Sequence, residues 1–371
     1  MTRPRTSVLA IVFLFIVASF GCSIKQGFNY SGEQAQRSEE GAFDAKIREI
    51  EVVNQFGNVE IEIAETGGWK WDLTCWAKTK EQADEFCQMI ELKKHTSGVT
   101  QSWNLSIPDE IHQLRGVKSN LKIRVPADTK VEIENRHGDT SVYGVKSLVR
   151  VDNAHGKVKL QDLAGECVAQ NSHGTLNASN LGSAELTNKH GDIAVENVAG
   201  DLQVEGSHGH VEVAQVSGST IIANQHGNVD VKKLSNSADL STSLGTMNVA
   251  EVGGDTKLSN QHGKISVDGI EGKLNVTNSF GPVNVNANSP EVEIQNKNGL
   301  VELNLSNPNI STVVAKASFN DLKVTLPASL QARFNLKATF GKVDSEFSDG
   351  DGSNRVELTA EHGNISLKKG N

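Results

Sequence analysis

Residues 191–208 read GDIAVENVAGDLQVEGSH, and residues 263–280 repeat the same pattern as GKISVDGIEGKLNVTNSF. Counted from the first glycine as position 0, apolar residues fall at positions 2, 4, 7, 11 and 13 of both stretches. This alternation by two predicts two short β-strands per unit, each with one buried face. A unit of this size cannot bury an apolar face alone, so the units must stack on one another. The sequence therefore predicts an all-β fold, a β-solenoid (β-helix) with coils of about 18 residues.

The first residue of each unit is a glycine, which we expect at a turn where the backbone needs a positive φ. These turn glycines recur at intervals of 18 residues, with one interval of 17: Gly138, Gly156, Gly174, Gly191, Gly209, Gly227, Gly245, Gly263, Gly281 and Gly299. An early copy of the unit ends at Gly57, and beyond residue 300 the interval lengthens to about 21. We predict a first coil plus an α/β capping segment over 46–128, the regular solenoid over 129–300 and longer coils over 301–371.

The residue before the turn glycine is histidine in eight units, here called the histidine column: His137, His155, His173, His190, His208, His226, His262 and His362. Stacked coils would place these imidazoles about 4.8 Å apart, a spacing at which they could chelate zinc or copper. The same position also holds Phe280 and Leu244, which cannot replace imidazole as a ligand. We therefore interpret the column as structural stacking that shares the inward face of its strand, with metal binding as an alternative. No cofactor is predicted.

Three positions before the turn glycine, eight of the ten regular units carry asparagine, with Gly206 and Thr242 in the other two. We call these residues the asparagine column: Asn135, Asn153, Asn171, Asn188, Asn224, Asn260, Asn278 and Asn296. An isolated buried amide is costly, but identical amides stacked coil over coil can hydrogen-bond to one another. The sequence predicts a buried structural ladder. An outward-facing column would instead form a polar groove for sugar hydroxyls.

Residues 67–128 do not follow the repeat, and they contain all four tryptophans: Trp69, Trp71, Trp76 and Trp103. Thr79–Lys94 is predicted to be a helix, with Thr79 as N-cap and Gln82 completing a capping box. We expect this segment to cover the open end of the solenoid, with the tryptophans in its core. A tryptophan ligand platform is the alternative.

Cysteine usage leaves one question open. Cys167 occupies an apolar position of its unit and is expected to be a small buried hydrophobe. Cys75 and Cys87, on a predicted strand and the adjacent helix, could pair in an oxidising compartment, although their spacing alone does not decide it.

The N-terminus predicts an exported protein. Arg3 and Arg5 precede an apolar run from Val8 to Phe20, which is typical of a signal peptide over residues 1–21. Cleavage there would leave Cys22 as a lipidation site carrying acyl chains such as palmitate. Residues 22–45 are polar and predict a flexible tether. We expect an outer-membrane lipoprotein that faces the periplasm or the surface and contacts the membrane only through this anchor.

Composition excludes some functions. The chain has 36 Lys+Arg against 45 Asp+Glu and no basic stripe, which argues against a nucleic-acid binder. A hydrophobic content of 37% with only 5% aromatics predicts a thin core. The sequence also lacks a Gly-x-Ser-x-Gly elbow, a His-Glu-x-x-His motif and a phosphate loop, so it is predicted not to be an enzyme.

The series of Gly-x-Val-x-Val units, preceded by the element LKIRVPAD at residues 121–128, resembles the bacterial putative-adhesin family, a β-strand-repeat domain of unknown function. The resemblance covers about residues 46–370, the helix included. It implies an envelope-associated, non-enzymatic solenoid.

The function expected is therefore that of a cell-envelope adhesion or scaffold module that binds an envelope protein or a glycan. Three alternatives remain: a polysaccharide-active β-helix enzyme, a filament that self-associates through its solenoid ends, and a metal binder that uses the histidine column. The oligomeric state stays open.

Overall fold

The computed structural model describes residues 30–348, 350 and 352–370. The predicted signal peptide and Cys22 lie outside these described residues. The N-terminal elements are β1 (Glu33–Ala42), β2 (Glu49–Phe56), β3 (Val59–Ile63), β4 (Gly68–Ala77), α1 (Lys80–Met89), β5 (Glu91–Ser97), β6 (Thr100–Ser106) and β7 (Gly116–Val125).

The regular coils follow. Their strands are β8 (Lys130–His137), β9 (Thr140–Tyr143), β10 (Val149–His155), β11 (Val158–His173), β12 (Leu176–His190), β13 (Ile193–Val198), β14 (Leu202–His208), β15 (Val211–Val216), β16 (Thr220–His226), β17 (Val229–Leu234), β18 (Ala238–Leu244), β19 (Met247–Val252), β20 (Thr256–His262), β21 (Ile265–Ile270), β22 (Leu274–Phe280), β23 (Val283–Ala287), β24 (Glu291–Asn298) and β25 (Val301–Leu305). The C-terminal strands are β26 (Thr312–Ala317), β27 (Leu322–Pro327), β28 (Ala332–Ala338), β29 (Val343–Ser345), β30 (Asn354–Ala360) and β31 (Ile365–Gly370).

The predicted fold is confirmed as a parallel β-solenoid of about 13 turns with a spacing of about 18 residues. Each strand pairs with its copy one coil further along, as in the registers Val195↔Val213 and His208↔His226. The single 17-residue interval is absorbed where β11 pairs with β12, because the register shifts there between Leu163 and Glu166. The spacing of the sequence repeat therefore determines the register in which neighbouring strands pair.

The core is thin and aliphatic along the rod. The apolar positions of the unit quoted first, Ile193, Val195, Val198, Leu202 and Val204, are all at most 3% exposed. Because each inward side chain packs against its own copy above and below, the core continues through the coils without a boundary.

A second corner of the coil lies at position 6 of the unit, between the inward residues at positions 4 and 7. There the backbone adopts the left-handed conformation, with φ from 56 to 60°, at Asp162, Asn180, Asn197, Gln215, Lys233 and Glu251. Gly144 and Gly269 are the two glycines of this series, with φ 76° and 70°. The sequence did not reveal this corner, since most of its residues are not glycine.

The N-terminal segment covers one end of the rod. Strands β6 and β7 pair with β2 and β3 on the side opposite β8 and β9. Strands β5 and β4 then continue the sheet in antiparallel pairing. Helix α1 packs through buried Ala83 and Cys87 against β1 and β4. The open edges of the first coils are therefore covered.

The helix is shorter than predicted. Thr79 is its N-cap, and the Thr79 hydroxyl accepts a hydrogen bond from the Gln82 backbone N–H at 3.3 Å. The Gln82 side chain donates to Gln113 instead of completing a capping box. The helix ends at Met89 rather than Lys94, because Ile90 is extended and Glu91–Ser97 pairs with β6. Pairing with a neighbouring strand thus overrides the helical pattern of the sequence.

The predicted flexible tether over 22–45 is wrong for Glu33–Ala42, which forms β1 along β4 in the register Ala35↔Cys75. Only Ala35 of this strand is buried. An edge strand gains its hydrogen bonds through the backbone, so it needs no apolar alternation that the sequence could show. The Arg37 side chain also donates to the Cys87 and Ile90 carbonyls at the end of the helix.

The C-terminal coils do not stack in chain order. Strands β26 and β27 pair with β30 and β31, and these in turn pair with β28 and β29. The last two strands of the chain are therefore inserted beneath the final coil. That final coil is formed by β28 and β29.

Candidate functional site

The histidine column forms stacks of rings along one corner of the rod, interrupted by Leu244 and Asn298. Ring centroids lie 4.6–5.0 Å apart at each step from His137 to His226. Phenylalanine continues the stack, since Phe280 lies 4.8 Å from His262, and His362 stacks between Phe319 and Phe340. Phenylalanine and histidine are thus interchangeable in this geometry.

The prediction that this column faces the core is wrong. His208 and His226 are exposed, as are Leu244 and Phe280 at 43% and 49%. The alternation of the strand ends at the preceding asparagine: Asn224 is buried, whereas Gln225 and His226 are both exposed. The chain leaves the pleat one residue before the turn, so counting by two no longer gives the face.

Ring spacing limits how a metal ion could bind between neighbouring histidines. Two Zn–N bonds of about 2.1 Å span at most about 4.2 Å. The centroids of the parallel rings of His208 and His226 are 4.7 Å apart, so one ion does not fit between this pair in the stacked arrangement. The rings of His155, His173 and His190 are tilted relative to one another by 37° and 41°. Over the residues that the structure describes, no group of three or more His, Cys, Asp or Glu side chains is placed to hold a metal ion.

Stacking makes the folded protein sensitive to acid at one end of the column. Burial, the neighbouring His155 and the Arg136 guanidinium lower the pKa of His137. The folded state then binds a proton more weakly than the unfolded state does, so stability falls as pH drops through the ordinary histidine range. We expect His137→Phe to reduce the loss of melting temperature between about pH 7.5 and pH 5, because Phe keeps the stack without the charge.

Melting curves at several pH values check this expectation. His112→Phe, outside the column, is the matched control and should leave the pH dependence unchanged. An equal acid sensitivity in the His137→Phe protein and the unmodified protein would contradict the linkage.

The asparagine column is buried, at 0–4% exposure, so the alternative of an outward polar groove is wrong. The bonding differs from the predicted amide ladder. Direct amide pairs join only Asn54 to Asn135 and Asn153 to Asn171 among the described residues. Elsewhere the amide donates to carbonyls of the turn glycines, as Asn188 does to Gly174 at 2.8 Å and to Gly191 at 3.0 Å. The column therefore ties consecutive turns together.

The ten turn glycines have φ from 124 to 152°. A Cβ on any of them would also lie well under 3.0 Å from the carbonyl oxygen of the turn glycine one coil earlier. The sequence predicted the positive φ, but it could not show that the turns approach one another so closely. Glycine is required here for two independent reasons.

The four tryptophans of the cap do not make an open ligand platform. Trp71 and Trp103 are fully buried, and the Trp71 indole donates to the Ser119 hydroxyl at 2.7 Å. Cys75, Cys87 and Cys167 are free and buried. Burial raises the pKa of the Cys167 thiol to about 12, so it is not a ready nucleophile.

A shallow groove runs along the outward face of β15, β17, β19, β21 and β23, and we call it the polar groove. Its volume is about 550 Å³. Its polar lining is Glu212, Asp230, Lys232, Asn248, Lys264, Ser266, Asp268, Asn284 and Asn286. No alternating pattern marks these residues in the sequence, because outward positions vary freely from coil to coil.

Part of the polar groove has no internal hydrogen-bond partner. The side chains of Lys264, Asp268 and Asn284 make no hydrogen bond or ion pair within the described part of the chain. The Ser266 hydroxyl is also unpaired, and it is buried beneath the surface of the groove. On the opposite face, by contrast, Lys257 pairs with Asp239 at 3.0 Å. The polar groove thus offers donors and acceptors that remain available to a ligand.

Among the described residues, no helix is long and apolar enough to cross a membrane.

Several solved structures are similar to this chain. A putative cell adhesion protein from Clostridium sporogenes shares 9% identity, covers 91% of this chain and 100% of its own, and has a TM-score of 0.19. A putative adhesin from Parabacteroides distasonis shares 12% identity over 73% and 97% of the two chains, with a TM-score of 0.25. One from Parabacteroides merdae shares 8% over 72% and 97%, with a TM-score of 0.26. TM-scores this low carry no argument about function.

No curated protein matches the chain. The family model described as Toastrack DUF4097 matches residues 47–252, which is more than half of the chain. This stretch contains the first coil, the cap and the regular coils up to β19, so the match rests on the elements that define the fold. The chain belongs to the Toastrack DUF4097 family.

Proposed function

We propose that the protein is a non-enzymatic adhesion or scaffold module of the cell envelope, and that it binds an envelope glycan along the polar groove. The observation that carries this proposal is the group of accessible polar side chains in the polar groove, Lys264, Asp268 and Asn284, that have no side-chain partner among the described residues. A ligand's hydroxyl groups can replace the water around these side chains.

The shape of the groove favours a polymer over a small molecule. The groove is open at the surface and crosses several coils, and strands in it recur about every 4.8 Å. Short amides and hydroxyls such as Asn248, Ser266 and Asn284 suit sugar hydroxyls. The charges are of mixed sign, with Lys264 beside Asp268, so a neutral or weakly charged glycan fits better than a polyanion.

The cellular setting belongs to the same proposal. Residues 1–21 act as the export signal, and acyl chains on Cys22 hold the protein at the outer membrane, facing the periplasm or the surface. The sequence pattern supports this anchoring. A rigid rod held by a lipid would present its polar groove at a distance from the bilayer.

The test is binding of the signal-free protein to cell-wall glycans and surface polysaccharides, with release of reducing ends measured in parallel. We expect saturable binding without product. In the double variant Lys264→Ala/Asn284→Ala we expect about 30-fold weaker binding, since two hydrogen bonds of about 1 kcal/mol each are lost.

The matched control is Lys257→Ala/Asn275→Ala, which removes the same two side-chain types from the opposite face and should bind normally. Product release would show a polysaccharide-active enzyme instead. If no glycan of the panel bound, glycan binding would be refuted, and a protein partner would be sought instead.

A further inference from the structure

The two ends of the rod differ. At the N-terminal end, β1, β4, β5 and helix α1 cover the first coils. At the C-terminal end, the final coil exposes apolar side chains: Phe340 is 72% exposed and Val343 is 44% exposed, while Phe334 and Leu336 are half-buried. Inward positions of the regular coils are at most a few per cent exposed. Apolar side chains of the solenoid are therefore exposed at the C-terminal end.

The backbone at this end is unpaired as well. Within the described residues, β28 pairs only with β30, and β29 pairs only with β31. Each of these two strands thus has one edge that no other strand pairs, although the Gly350 N–H donates to the Ala332 carbonyl at 3.2 Å where β28 begins. Such an edge is a template on which another strand can add.

Basic and acidic side chains are on different strands at this end. Strand β28 carries exposed Arg333 and Lys337, whereas Asp344 lies on β29 and Glu346 follows it directly. None of these four side chains forms an ion pair in the part of the chain that is described. Strand β28 is therefore basic, whereas around β29 the acidic Asp344 and Glu346 outnumber the exposed Lys342.

From this arrangement we infer that the C-terminal end is a homodimer interface, at which a second copy of the chain docks tail to tail. A two-fold axis perpendicular to the rod relates the two copies. Across this axis the strands of the second copy run antiparallel to the strands that they pair with. Pairing β28 with β28 would place Arg333 and Lys337 opposite like charges, which is unfavourable. Pairing β28 with β29 of the second copy can instead place Lys337 directly opposite Asp344, with Arg333 diagonal to Glu346, and both contacts are favourable.

This charge pattern favours a second copy of the chain as the binding partner of the C-terminal end. A two-fold interface uses the same surface on both copies and closes on itself. Because the N-terminal end is covered, the assembly stops at two chains and does not continue into the filament considered from the sequence. The end of one coil is smaller than a standard interface of about 800 Å² per partner, so we expect a dissociation constant in roughly the micromolar range.

Sedimentation of the full-length chain over about 1–200 µM tests this inference, the range being chosen around that micromolar affinity. We expect a concentration-dependent monomer–dimer equilibrium that weakens at high salt, since the facing charges are exposed. The variants Arg333→Glu/Lys337→Glu and Asp344→Lys/Glu346→Lys should each be monomeric alone. Mixed together, they should form a heterodimer, because both edge pairs are then complementary again.

The control is Lys297→Glu/Lys316→Glu, which reverses two exposed lysines on the side of the rod and should dimerise like the unmodified chain. Circular dichroism and melting temperature show that each variant folds. A chain that stays monomeric at the highest concentration, one that polymerises, or a β28 variant that still dimerises alone would overturn the inference. Glycan binding lies on a different surface and is scored separately.

Discussion

Gly227→Ala is expected to lower the free energy of unfolding by about 3 kcal/mol or more. Gly227 has φ 128°, a conformation that L-residues avoid. Its new Cβ would also collide with the Gly209 carbonyl oxygen. That oxygen accepts the Asn224 amide at 3.0 Å, so moving it away would break a buried hydrogen bond as well. Denaturant unfolding of the signal-free protein measures the loss.

The matched control is Gly269→Ala at the other corner of the coil. Gly269 also has a positive φ, of 70°, but the nearest atom to a Cβ there is the Glu251 backbone nitrogen at 3.6 Å. Non-glycine residues occupy this corner in six other coils. We expect a cost of about 1 kcal/mol from the backbone conformation alone. Equal losses in the two variants would show that the contact between turns contributes nothing.

Asn188→Ala should cost about 2–4 kcal/mol, because it leaves buried carbonyl groups without a donor. The Asn188 amide donates to Gly174 and Gly191. The next coil has Gly206 at the equivalent position, so no amide from that side can serve Gly191 instead. This position is therefore the most sensitive one to test in the asparagine column. Equilibrium unfolding gives the difference in stability.

A graded series at Asn188 separates lost hydrogen bonds from lost volume. Asn188→Thr should be milder than Ala, since Thr242 occupies the column naturally and its hydroxyl lies 3.4 Å from the Gly227 carbonyl. Asn188→Asp has nearly the same shape but turns a carboxylate oxygen toward carbonyl oxygens. It should be the least stable of the series at neutral pH. Equal stability of the Asp and Asn proteins would refute the assigned hydrogen bonds.

The sequence predicted what its period controls. Apolar residues at fixed positions gave the two strands of each coil, and the spacing of glycines such as Gly227 gave the register between coils. The outward face of His226 was missed because the strand leaves its pleat after Asn224. Strand β1 was missed because edge pairing depends on backbone groups that every residue has.

The candidate site was less predictable. Outward positions such as Lys264, Ser266 and Asn284 have no required residue type, so their pattern gives no signal along the chain. Only the stacking of coils brings them side by side. The exposed end around Phe340 could not be predicted for another reason. The order of strands in the chain does not show that β30 and β31 pair with β28 and β29 and leave these two strands at the end of the rod.

That insertion affects the order in which the rod can fold. Coils from β8 to β25 can add one after another from the N-terminal side, because each needs only the coil before it. The final coil cannot dock in that way, since the strands on which it packs, β30 and β31, follow it in the chain. Strands β28 and β29 must therefore wait until β30 and β31 have paired with β26 and β27.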